Sequence, residues 1–183
     1  MTPSLFPPLP SYEGLHPIVV HFPIALLLVT PLFILLAMAW KSQSRAMLLT
    51  ALILSALGTA GAFLALNTGE ATERFAELVP AAGPVLESHE ELAEIAAKLA
   101  AGVTLVLGIV AAVYAKVHER VRTPLRLGGG VVLLLLAGAP SLTIARAAHE
   151  GGVLVHLHGV HAPVAVHTGS GAPATAPRHD DDD

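Results

Sequence analysis

There is no cysteine among the 183 residues of this chain. Its absence excludes disulfides, thiolate metal sites, cysteine-ligated iron–sulfur clusters and haem attached covalently through C-x-x-C-H. Charge is also scarce, with Asp, Glu, Lys and Arg making up 13% of the residues against 54% that are hydrophobic. That balance is too apolar for an ordinary soluble domain of this size, so the net charge of −4 matters less than where the charges stand. No basic run and no interleaving of aromatic with basic residues points to nucleic acid. There is no phosphate loop and no nucleophile elbow, and neither Ser88 nor Ser141 has a readable triad partner. The chain reads as a carrier or subunit rather than a stand-alone enzyme.

What is present is a series of four long apolar stretches, which predict an all-α, polytopic membrane four-helix bundle. Residues 1–14, MTPSLFPPLPSYEG, are rich in proline without Lys or Arg and read as an extended leader, not a secretory signal. A four-helix transmembrane domain is expected over residues 15–162, with spans at about 18–40, 46–66, 89–117 and 127–148, each able to cross a hydrocarbon layer of roughly 30 Å. Trp40 and Lys41 suit an interfacial anchor. In the second span Ser55, Gly58, Ala60, Gly61 and Ala62 would let a neighbouring helix or a flat ligand approach closely. Ser88 with Glu91 forms a capping box, which places the start of the third helix at His89. Pro140 is expected to kink the fourth helix, and Gly151 and Gly152 to end it. The Pro, Ala, Gly and Thr tail over 163–183, closing on HDDDD, is expected to be disordered. No internal repeat is evident.

The basic residues Lys41, Arg45, Lys116, Arg120, Arg122 and Arg126 all fall between spans one and two or between spans three and four. The positive-inside rule makes those connections cytoplasmic and puts both termini and the middle loop outside, on the periplasmic face of a bacterial inner membrane. On that topology every Asp and Glu except Glu119, and every His except His118, lies on the outer side.

The histidines are the candidate chemistry. His21 lies about one turn into the first span, where an ionisable group costs several kcal/mol unless it is neutral, partnered or hydrated. It is either an axial or metal ligand or a neutral ring bonded to a carbonyl freed by Pro23. His16, five positions earlier, would diverge from His21 by about 140° on a regular helix, and Pro17 makes it a pre-helical group. On the third helix, 100° spacing puts His89, Leu92, Ala93, Ala96, Ala97 and Ala100 on one arc and Glu90, Glu91, Glu94 and Lys98 opposite, so His89 should face the bundle. The sequence HEELA fails the H-E-x-x-H zinc-protease pattern at Ala93. His156, His158 and His161 could present two rings to a metal, whereas His149, His167 and His179 read as surface groups. Glu70, Glu73 and Glu77 form an acidic stripe that faces water or ligates a cation.

His16-Pro17, Val20-His21-Phe22-Pro23, Thr68-Gly69 with Ala71, His89-Glu90, Gly151-Gly152 and His158-Gly159 together resemble the bacterial membrane family known as domain of unknown function 2231, over about residues 14–162. The resemblance implies that the family histidines are His16, His21, His89 and His158, and His156 departs from it at a position where an aromatic residue is expected. Relatives of the family are sometimes joined to c-type cytochrome or Rieske-like modules, which implies an electron-transfer setting. The leading expectation is therefore haem b held by paired outer histidines, His21 with His89 and His16 with His158 as a second pair or supporting donors. The bundle would pass electrons within or beside a respiratory or photosynthetic complex. The alternatives are zinc, copper or iron bound by His21, His89, His158, Glu70, Glu73 and Glu90, or an assembly subunit with no cofactor.

Overall fold

Short connections force antiparallel neighbours, and the four apolar stretches pack accordingly. In the computed structural model, which describes residues 11–117 and 121–161, the spans are Glu13–Ala39, Lys41–Glu70, Pro80–Val117 and Thr123–His156. All four are long and apolar enough to cross a membrane. Each packs on the next and the fourth returns to the first, closing a ring of four helices. The described residues contain helices and turns and no strand.

The bundle keeps small residues inside and large apolar ones outside. Ala51, Ala96, Ala97 and Ala100 are fully buried, while Phe22, Leu105, Leu135 and Leu142 are each more than 60% exposed. Small residues let the backbones approach, and an apolar exterior suits lipid rather than water. Gly58 shows how close that approach is, since a Cβ there would sit 2.9 Å from Leu27 Cγ. One buried cluster joins Ile34, Leu48, Leu107 and Leu133 from all four spans, and a second joins Leu27, Ala96, Ala100 and Ile144. Between spans two and three, Thr104 Oγ1 lies 2.7 Å from Ser55 Oγ and 2.9 Å from Thr59 Oγ1.

Proline shapes the first span. Pro23 has no N–H for the Val19 carbonyl, and the helix His16–Val19 gives way at Val20 to the helix His21–Ala39. Pro31 likewise leaves the Leu27 carbonyl without its helical donor, and Ser141 Oγ supplies one from the fourth span at 2.8 Å.

Several boundaries differ from those expected. The third helix begins at Gly83, not at His89. Pro84 can occupy its first turn at no cost because the N–H it lacks would have no helical partner there. The capping box at Ser88 and Glu91 is thus interior. Ahead of it, residues 71–82 hold a short helix, Glu73–Glu77, and a 3-10 turn, Pro80–Ala82. The fourth helix is unbroken through Pro140 and continues past Gly151 and Gly152 to His156. The chain turns at Gly159, whose φ of 67° an L side chain rarely adopts. The leader up to residue 10, the tail from residue 162, and His118, Glu119 and Arg120 lie outside the described residues.

Candidate functional site

Two histidines from different hairpins meet at the end of the bundle away from the basic connections. His16 stands in the first turns of the first span and His89 in the second turn of the helix Gly83–Val117. Their ring centroids are 6.4 Å apart and their planes cross at 87°. Both rings are half-buried.

Each ring is fixed by the span that follows it. His16 Nδ1 lies 3.0 Å from the Ala65 carbonyl oxygen, and His89 Nδ1 lies 2.8 Å from the Ala147 carbonyl oxygen. A carbonyl only accepts, so both Nδ1 atoms carry a proton, and in a neutral ring that leaves the lone pair on Nε2. Thr68 Oγ1, 3.2 Å from His16 Nδ1, directs its own proton at the Leu64 or Ala65 carbonyl and turns a lone pair to the ring. The hydroxyl is thus a second acceptor for His16, and His89 has no such side-chain acceptor among the described residues.

A glycine flanks each ring one helical turn beyond the carbonyl. A Cβ at Gly69 would come 3.2 Å from His16 Cε1, and one at Gly151 would come 3.1 Å from His89 Cε1. The two halves therefore repeat one device: a histidine on an odd-numbered span, a carbonyl on the next, and a glycine four residues after that carbonyl. The sequence shows it only as the matched spacing in ALNTG from Ala65 and AAHEG from Ala147.

The pairing of His21 with His89 expected from the sequence is not the one formed. His21 is exposed on the outside of the first span, beyond the break that Pro23 causes at Val20. A pre-helical His16 is also corrected, because a 3-10 turn over Glu13–Leu15 runs directly into helix and aims His16 across the bundle. His158 is half-buried past the end of the fourth span, with its N–H on the Val153 carbonyl, and His156 and His161 are exposed. The third-helix arc is as expected: Ala96, Ala97 and Ala100 are fully buried while Glu90, Glu91, Glu94 and Lys98 are exposed.

The carboxylates do not join the pair. Glu70 and Glu77 are exposed and Glu73 is half-buried, and no group of three or more His, Cys, Asp or Glu able to hold a metal ion exists among the described residues. Nearby, Arg74 pairs with Glu13 and lies 4.8 Å over the Phe75 ring, tying the short helix to the head of the first span. The arrangement thus offers two imidazole nitrogens, set by backbone carbonyls, with no third protein ligand gathered beside them among the described residues.

Comparison with curated proteins and with solved structures finds no match. The family model described as Predicted membrane protein (DUF2231) matches residues 13–163, which takes in all four spans, both histidines and both glycines. On that match the chain belongs to the DUF2231 family of membrane proteins.

Proposed function

We propose that this membrane protein binds a b-type haem between His16 and His89 and serves electron transfer. The observation that carries the reading is the close pair of imidazoles, centroids 6.4 Å apart, with both Nδ1 atoms committed to carbonyls. His16 and His89 would hold such a group through their Nε2 atoms, which the Nδ1 bonds to carbonyls leave available in the neutral rings. A metal-ligating histidine also commonly donates its other N–H to a backbone carbonyl, which fixes the ring and raises its basicity.

The donor set favours haem over a bare ion. Two protein nitrogens leave a zinc or copper(II) shell incomplete, whereas a porphyrin brings four donors of its own. His16 and His89 would hold it, the Ala65 and Ala147 carbonyls would orient them, and Gly69 and Gly151 leave room for the rings. When bound, such a group supplies reversible one-electron iron chemistry. The positive-inside rule assigns the basic connections to the cytoplasm and the pair to the outer face of a bacterial inner membrane, where a cytochrome or Rieske-type partner would dock.

The experiment is a reduced-minus-oxidised spectrum and metal analysis of purified protein. A b-type band that His16→Ala and His89→Ala each abolish and His21→Ala retains is the expected result. A transition metal without porphyrin, lost in the same variants, would replace haem by a metal ion at this pair. A folded protein carrying neither would leave a purely structural subunit.

A further inference from the structure

A second feature stands at the end of the bundle opposite the histidines. There the four spans part around an apolar cavity of about 480 Å³. Its walls follow the third span from Val106 to Val117 and the fourth from Arg126 to Leu136. Ten residues of helix rise about 15 Å, which is half of a hydrocarbon layer of roughly 30 Å, so the groove is one leaflet deep. Val113 and Val132, both on its lining, are 56% exposed, so it opens sideways to lipid.

Its head is cationic. Arg126 lines the cavity and donates through Nη1 to the Ala37 carbonyl at 3.0 Å and the Met38 carbonyl at 2.7 Å. Its Nε is buried and meets no acceptor among the described residues. A guanidinium in that position retains donors for an anion, and planar donors of this kind suit phosphate. Lys41, Lys116 and Arg122 stand in the same connections.

We propose that this groove holds one anionic phospholipid, its phosphate at Arg126 and one acyl chain between the third and fourth spans. Charge complementarity at the head and a depth of one leaflet select that occupant over a zwitterionic lipid or a soluble apolar ligand. Gly129 offers a clean probe, since a Cβ there meets no atom within 4 Å and so points into open space on the lining.

The test uses full-length protein in nanodiscs of phosphatidylcholine with and without phosphatidylglycerol, followed by thermal unfolding and by native mass spectrometry of retained lipid. Phosphatidylglycerol should raise the Tm by about 3–6 °C and leave one lipid bound per protein. Gly129→Phe fills the groove without touching a charge. It should unfold like the parent in pure phosphatidylcholine and lose both the rise and the retained lipid. Arg126→Gln should do the same, although loss of its bonds to the first span lowers its baseline. Equal Tm in the two lipids, or a rise that survives Gly129→Phe, overturns the site; in the second case the basic connections alone attract the lipid.

Discussion

Ser141 donates its hydroxyl proton to the Leu27 carbonyl across 2.8 Å, replacing from the fourth span the helical bond that Pro31 takes from the first. The same hydroxyl lies 2.8 Å from the Ala137 carbonyl of its own helix. One proton serves both, but only the Leu27 carbonyl has lost its backbone donor. Ser141→Ala should therefore cost about 1 kcal/mol, the scale of an interhelical hydrogen bond in a membrane protein. Pro31→Ala restores the N–H, so the Ser141→Ala penalty should shrink in that background. Unfolding of the four variants in detergent measures the coupling, and strictly additive costs would reject it.

The glycines against the histidine rings make a second, paired expectation. A methyl at Gly69 or Gly151 would press on His16 Cε1 or His89 Cε1 at 3.2 and 3.1 Å, so each ring must yield by a few tenths of an ångström. Overpacking of this kind costs about 1–3 kcal/mol. Gly69→Ala and Gly151→Ala should each disturb the optical or metal signature of the pair to a similar degree. A change from one and none from the other would show that the two halves are not equivalent.

How much of this was readable beforehand follows from the physics of each feature. The four spans announce themselves as apolar runs, because lipid imposes length and composition on any crossing helix. Their outer ends do not, because residues such as Glu87 to Glu91 continue the helix on hydrogen bonding and packing alone. The inward arc of His89 was legible from 3.6-residue periodicity. The partner was not, because the direction of His16 depends on a 3-10 turn and on a helix break four residues later, and periodicity assumes a regular helix. His21 looked the better ligand by depth, yet depth says nothing about rotation around the helix. The basic residue Arg126 was legible as a topological marker, while its bonds to Ala37 and Met38 depend on contacts between chain segments about 90 residues apart.

Close packing of the first two spans gives a third expectation, with an internal control. A Cβ at Gly58 would fall 2.9 Å from both Leu27 Cγ and Cδ2 and 3.3 Å from Leu26 Cβ, against a fully buried Leu27 with little room to move. Gly58→Ala should destabilise by about 1–3 kcal/mol and push the first span from the second. At Gly102 a Cβ meets nothing within 4 Å, and the residue is exposed in mid-helix. Gly102→Ala should gain about 0.5–1 kcal/mol in helix stability. Thermal unfolding of both variants in one detergent decides, and a shared sign would contradict the packing argument.

Thr68 separates the two histidines chemically, and this yields an expectation that a merely structural role would not produce. The His16 Nδ1–H faces two acceptors, the Ala65 carbonyl at 3.0 Å and Thr68 Oγ1 at 3.2 Å. Hydrogen bonding at Nδ1 pushes electron density onto Nε2, and a more basic axial imidazole stabilises the oxidised metal. Thr68 is 1% exposed, and Thr68→Val keeps its shape while removing the oxygen. On the haem reading, that variant should still bind the cofactor but with its reduction potential raised, whereas Thr68→Ser should keep the parent value. A redox titration of the three proteins measures this directly. An unchanged or lowered potential in Thr68→Val would mean that the hydroxyl caps the second span through its bonds to Leu64 and Ala65 without tuning the histidine.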